Sequence, residues 1–245
     1  MRKKRFIYTL AAVLLMCSAA SVGAGCGKSS PALLDSFCTH LDTLMTSKDK
    51  LSKMDGAAAD LCVIENEDEF SENDIEAPAG ALFNITDQKT LYSKNANDER
   101  EIASITKIMT ALLAMKYADL SQEVTISYTP EGLESSAVLC GFEQGDKMML
   151  SSLLSAALIY SGNDAAIDIA IAVAGSQEAF VDMMNQESKE LMTSHTHFAN
   201  PTGLTQSKHY SSVYDVYLMF QECLKYPTFR DIIARGLITS STGTC

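Results

Sequence analysis

Positive charge and long hydrophobic runs are both scarce in this 245-residue chain. The apolar run Phe6–Met16 is too short for an ordinary membrane span, which needs about 20 apolar residues. Lysine and arginine number 19 against 31 acidic residues, and four of the 19 lie within Met1–Arg5. Beyond residue 25 the chain therefore carries 15 basic and 31 acidic residues, a net −16, which argues against nucleic acid or anionic lipid as a partner. The seven cysteines include no C-x-x-C pair, so neither zinc nor a dithiol redox motif is indicated. Glycine-rich phosphate loops and a G-x-S-x-G elbow are missing too. His195 and His197 form an H-x-H without an acidic or cysteine ligand at metal spacing, which leaves them surface or packing roles. No internal repeat is visible.

What is there begins with a targeting segment. Four positive charges, the apolar run and small residues through Ala24 have the layout of a secretory signal peptide over residues 1–25. Cleavage after Ala24 and lipidation of Cys26 in G-A-G-C both remain open. With Cys17 in the signal and Cys26 set aside, Cys38, Cys62, Cys140, Cys223 and Cys245 form an odd set, in which Cys38 and Cys62 could pair outside the cytoplasm. Residues 26–76 read as a mostly disordered acidic spacer, with one helix near Leu33–Met45 and seven acidic residues among positions 65–76.

The pattern changes at Ala77. Gly80–Ile85 and Thr90–Ser93 predict two strands around the turn D-Q-K. A helix is expected from Ser104, a short strand at Val124–Ser127, and apolar helices over Met148–Tyr160 and from Ala165 to a stop at Gly175. Further helices are expected near Gln177–Met192 and Ser212–Leu224, with a loop at 198–204. Two early strands and several buried helices indicate an α+β domain.

One lysine fits this scheme badly. In I-A-S-I-T-K-I-M-T-A-L-L-A-M (102–115) the helix is apolar on most sides, and with Ser104 as its N-cap Lys107 falls in the first turn, where the helix dipole disfavours a cation. Lysine is seldom buried without a partner or a task. Ser104 and Lys107 share a helix face, and desolvation lowers a lysine's pKa until it can take a serine's proton. The S-x-x-K spacing is weak by itself, since Ser47 and Lys50 satisfy it in the spacer and a capping serine beside a snorkelling lysine gives the same pattern. Ser161-Gly162-Asn163, between two apolar helices, reads either as a cap-to-cap turn or as a turn presenting a hydroxyl that relays protons and an amide that holds substrate.

Taken together, A-S-I-T-K-I-M-T-A-L-L-A, Y-S-G-N-D-A-A with Ser161 57 residues after Ser104, F-A-N-P-T-G-L and H-Y-S-S-V-Y-D resemble the serine D-alanyl-D-alanine carboxypeptidases, the low-molecular-mass penicillin-binding proteins. The likeness runs from about Ala77 to Ile233. It implies a β-lactamase/transpeptidase-like fold over residues 77–245, an antiparallel sheet packed with a helical region. It also implies Ser104 as the acylated nucleophile, Lys107 as its base, Ser161 as proton relay and Asn163 as a substrate-binding amide. Asn200, Gly203, His209 and Asp215 then match architectural positions. The implied substrate is a peptidoglycan stem peptide ending in D-Ala-D-Ala, with β-lactams as inhibitors, no cofactor or metal, and a place outside the cytoplasmic membrane, on its outer face if Cys26 is lipidated.

The chain departs from that pattern in one respect. The family's K-T-G strand, expected several tens of residues past F-A-N-P-T-G-L, does not occur, and Ser241-Thr242-Gly243 lacks its lysine. Without that strand the domain is expected to be incomplete at the C-terminus and to fold poorly, and activity is in question. Two alternatives follow: a secreted, non-catalytic wall-binding module, or a class A β-lactamase, the latter disfavoured because no E-x-x-L-N follows the S-G-N turn.

Overall fold

A computed structural model describes residues 61–64, 75–127, 133–135, 137–235, 239–240 and 243–244. The signal segment, Cys26, Cys38, the Leu33–Met45 helix, Ser47 and Lys50, most of the acidic run, Thr242 and Cys245 lie outside the described residues. The chain divides into two compact units, Met1–Ala96 and Asn97–Cys245.

In the first unit the expected hairpin forms from β1 (Gly80–Asn84) and β2 (Lys89–Lys94), paired antiparallel. The register shifts between Leu82 and Phe83, so Leu82 faces Tyr92 while Phe83 faces Thr90. The turn is closed by Asn84, whose Oδ1 accepts from the amides of Thr86 and Asp87. Leu82, Leu91 and Tyr92 are buried together, with Ile75 packed against them. Ile75 also explains Gly80, since a Cβ there would stand 2.6 Å from Ile75 Cδ1.

The second unit is built around one helix. A 3₁₀ turn, Ala103–Thr106, leads into α1 (Lys107–Tyr117). The unit continues with β3 (Glu123–Thr125), β4 (Lys147–Met149), α2 (Leu150–Ser155), a π turn (Ala156–Tyr160), α3 (Asn163–Ala174), α4 (Gln177–Glu190), α5 (Val213–Cys223) and α6 (Pro227–Ile233). Two short strands, β5 (Thr239–Ser240) and β6 (Gly243–Thr244), pair near the end. α1 packs against α3, α4, α5 and the π turn, which is why it is apolar nearly all round: Met109, Ala111, Leu112, Leu113 and Ala114 are all buried. α3 buries Ala165, Ala166 and Ala170 among its core residues. α4 buries a stripe of Phe180, Met184, Glu187 and Ser188, and α5 is capped by Ser212, which accepts from the Asp215 amide.

Four expectations need correction. Ser104 is not a helix cap: it lies inside the 3₁₀ turn, and Lys107 is the first residue of α1 with no side-chain cap before it. The helix expected at Met148 starts at Leu150, because Lys147–Met149 pair with Glu123–Thr125 as a second antiparallel ladder. The same helix ends in the π turn, with Ser161 left-handed at φ 64°. α6 was not anticipated, although Pro227 in its first turn and the buried Phe229 and Ile232 carry its signal. The strands of the described residues pair as three two-stranded antiparallel ladders, which with the helices give the α+β character expected.

Candidate active site

Ser104 is exposed, and Lys107 lies directly beneath it, only 2% exposed. The serine's turn is entered through Ala103 at φ 45°, an uncommon conformation for a residue with a β-carbon. Lys107 Nζ reaches four oxygens: Ser104 Oγ at 3.1 Å, Ser161 Oγ at 3.4 Å, Asn163 Oδ1 at 2.9 Å and the Thr202 carbonyl at 2.8 Å. The structure thus brings all four sequence-selected residues, Ser104, Lys107, Ser161 and Asn163, to one nitrogen. Burial lowers the Lys107 pKa from 10.5 to about 8, with Cys140 and Asp164 pulling the other way. Two of the four oxygens can only accept. Once the lysine is neutral, its two N–H bonds match Asn163 and Thr202, which leaves the nitrogen lone pair for a serine hydroxyl.

The S-G-N turn is held from three sides. Gly162 is the N-cap of α3, and a Cβ on it would stand 2.3 Å from Cys140 Sγ and 2.9 Å from Asp164 Oδ1, so a larger residue would have to displace both side chains. The Asn163 amide donates to the Val138 carbonyl. Asp164, buried at the start of α3, accepts from the amides of Cys140 and Gly141 and of Ala165. A carboxylate satisfied by backbone amides at a helix N-terminus suits the dipole there, and it ties loop 138–141 to the turn that carries Asn163.

Loop 198–204 supplies the fourth oxygen. Asn200 organises it: Oδ1 accepts from the Thr202 amide and hydroxyl and from the Gly203 amide, while Nδ2 donates to the Leu204 carbonyl and to Gln206. Thr110, one turn along α1 from Lys107, donates to the Pro201 carbonyl at 2.7 Å. Gly203, at φ 87°, packs so tightly on the serine's peptide that a Cβ would lie 1.9 Å from the Ala103 carbonyl oxygen. His209, one residue of H-Y-S-S, is 2.7 Å from Thr106 Oγ1 and accepts from the Ala199 amide. Asp215 stays away from Lys107: its Oδ2 accepts from the His195 amide and the Thr196 hydroxyl. Thr202, Thr110, Thr106 and Asp164 were not singled out from sequence. Thr202 contributes a backbone carbonyl, which no side-chain pattern reveals.

The other two histidines among the described residues are engaged locally, His195 with Ser194 and His197 with the Lys208 carbonyl. Among the described residues no cluster of His, Cys, Asp and Glu could hold a metal, and no helix is long and apolar enough to cross a membrane.

Solved structures with this arrangement of helices and antiparallel ladders belong to the penicillin-binding, transpeptidase-type fold. Penicillin binding protein 6B from Escherichia coli is 26% identical, with a TM-score of 0.64 over 70% of this chain and 58% of its own. A variant of the Streptomyces K15 DD-transpeptidase is 28% identical, with a TM-score of 0.63 over 69% of this chain and 70% of its own. The sequence model of the D-alanyl-D-alanine carboxypeptidase family matches residues 66–235, and the chain belongs to that family. D-alanyl-D-alanine carboxypeptidase DacF of Bacillus subtilis (strain 168) is 40% identical over 69% of this chain and 42% of its own length. DacC of Escherichia coli (strain K12) is 34% identical over 59% of this chain and 38% of its own. The chain thus spans about two fifths of the length of the curated relatives it matches.

Proposed function

We propose that this chain carries the acylating centre of a serine-type D-Ala-D-Ala carboxypeptidase, acting on peptidoglycan stem peptides and trapped by β-lactams. The observation that carries the reading is a buried lysine of lowered pKa, 3.1 Å from an exposed serine hydroxyl, with two of its hydrogen-bonding directions already taken by obligate acceptors. Ser104 Oγ loses its proton to Lys107 and attacks the carbonyl carbon of the penultimate D-alanine. The oxyanion takes a hydrogen bond from the Ser104 backbone N–H. Lys107 returns the proton through Ser161 to the nitrogen of the terminal D-alanine, which leaves as the C–N bond breaks. Water then attacks the acyl-serine ester and frees the shortened peptide. Asn163 holds Lys107 on one side and the substrate's peptide group on the other. No residue of 1–245 is assigned to the substrate's terminal carboxylate.

In this reading residues 1–25 export the chain, 26–76 form an acidic tether that joins the hairpin where Val63 bridges Lys89 and Ile75 packs against its core, and 77–245 hold the enzyme domain, which works outside the cytoplasmic membrane. The family match and the similarity to two D-alanyl-D-alanine carboxypeptidases support the peptidase reading. Incubation of the full chain with a fluorescent penicillin, followed by denaturing gel and peptide mapping, tests it. The expected result is one adduct per chain on the peptide containing Ser104, lost in Ser104→Ala. A parent chain that stays unlabelled over hours at saturating penicillin would overturn the assignment.

A further inference from the structure

The 3₁₀ turn that carries Ser104 is gripped by a chain of hydrogen bonds that starts about a hundred residues away in sequence. The Ala199 amide donates to His209 Nδ1 at 3.0 Å, so the proton of the neutral imidazole is on Nε2. Nε2 faces Thr106 Oγ1 at 2.7 Å, and the threonine hydroxyl donates onward to the Ala103 carbonyl at 2.8 Å. All three bonds run in one direction, from amide to imidazole to hydroxyl to carbonyl. The ring is also held edge-to-face by Phe198, with centroids 5.9 Å apart, and it is buried. Burial, with a smaller push from His197, lowers its pKa to about 4, which keeps the imidazole in the form this chain requires near neutrality.

The end point of the relay lies on a residue with an uncommon backbone conformation. Ala103 adopts φ 45°, and Gly203 presses on the same carbonyl from another direction. No peptide bond among the described residues is cis. In a trans peptide plane the C=O of Ala103 and the N–H of Ser104 point opposite ways. Fixing that carbonyl onto Thr106 therefore fixes the direction of the amide that, in the function proposed above, stabilises the oxyanion.

We propose that Thr106 and His209 are positioning residues for the acylation of Ser104, acting by clamping the 103–104 peptide. The inference rests on the proposed carboxypeptidase reading. A threonine bonding back to a carbonyl three residues earlier is a common local device. What sets this one apart is that its hydroxyl is oriented by a buried histidine from a different part of the unit.

Acylation kinetics of the full chain with a fluorescent penicillin separate this from a merely structural role, because loss of folded protein lowers the final amplitude while misaimed geometry lowers the rate. For Thr106→Val and His209→Leu the limiting acylation rate constant is expected to fall on the order of tenfold to a hundredfold, with final amplitude and half-saturating concentration near the parent's. Thr106→Ser keeps both hydrogen bonds, and His209→Gln keeps a donor toward Thr106, so both are expected to recover to within a few fold of the parent. Parent-like rates in Thr106→Val, or a drop in amplitude at unchanged rate, would overturn the inference and leave the function standing. A parent chain that forms no adduct would overturn the proposed function and this inference with it.

Discussion

Lys107 is kept at a cost. A folded-state pKa of about 8 against 10.5 means that the folded chain binds fewer protons than the unfolded chain between those values. Stability therefore rises with pH across that window, and below about pH 8 the site carries a penalty of roughly 3 kcal/mol. In the proposed mechanism the same shift sets the chemistry. Only the neutral amine accepts the Ser104 proton, so the acylation rate is expected to fall about tenfold per pH unit below 8 and to level off above it. A pH–rate profile with fluorescent penicillin checks this, and a flat profile between pH 6 and 9 would remove Lys107 from the role of base. Gly203 gives a second test. A Cβ would stand 1.9 Å from a backbone carbonyl oxygen, and φ 87° disfavours any β-carbon, so Gly203→Ala should cost at least ~2 kcal/mol in denaturant unfolding and slow acylation together.

At the level of elements, the site is a meeting of three segments on one helix start: the 3₁₀ turn, the turn before α3 and loop 198–204. Two of the three were legible in the sequence because they set polar residues against apolar neighbours: a lysine at the start of a buried helix, and Ser-Gly-Asn between two others. The third showed only as a family likeness, since its contribution to Lys107 is the Thr202 carbonyl. The positive φ of Ala103 and Ser161 was hidden as well, because neither is a glycine or an asparagine. β4 was read as helix because Met148 and Met149 run straight into an apolar stretch, and only pairing with Glu123–Thr125 separates them. The join between turn and loop is testable at Asp164. Asp164→Ala strips three backbone amides of their acceptor, so it is expected to destabilise by about 2–3 kcal/mol and to slow acylation by releasing Asn163. A contrasting element contact lies elsewhere on α1. Lys116 makes two bonds, of 2.9 and 2.7 Å, to the buried carboxylate of Glu187 on α4. Lys116→Ala leaves that carboxylate without a cation, bonded only by the Tyr117 hydroxyl at 3.3 Å, and should lower stability by about 3 kcal/mol, while the acylation rate of the folded fraction stays at the parent's value. Calorimetry read beside the penicillin time course distinguishes the two helix contacts.

For the whole molecule the proposed reading raises the question of where an exported chain would be kept. Every basic residue of positions 1–25 lies in the first five, and no acidic residue interrupts the run that follows, the layout on which the proposed export signal rests. What is left carries a net −16, which repels anionic lipid headgroups, so charge attraction offers no way to stay at a membrane. One route to retention is a covalent lipid chain, and Cys26 is the cysteine placed at the junction between the proposed signal and the spacer. A single buried acyl chain gives only marginal anchoring, whereas two or more hold a protein firmly, so lipidation and simple cleavage predict different locations as well as different masses. The expected outcome for a lipidated protein is that intact mass spectrometry of the exported chain begins at Cys26 with added diacylglycerol, and that Cys26→Ser moves the protein from the membrane fraction to the medium. A mature N-terminus at Gly25, with an unmodified cysteine following it and the protein already in the medium, would instead fix cleavage after Ala24 and make the acidic stretch a free N-terminal tail of the enzyme.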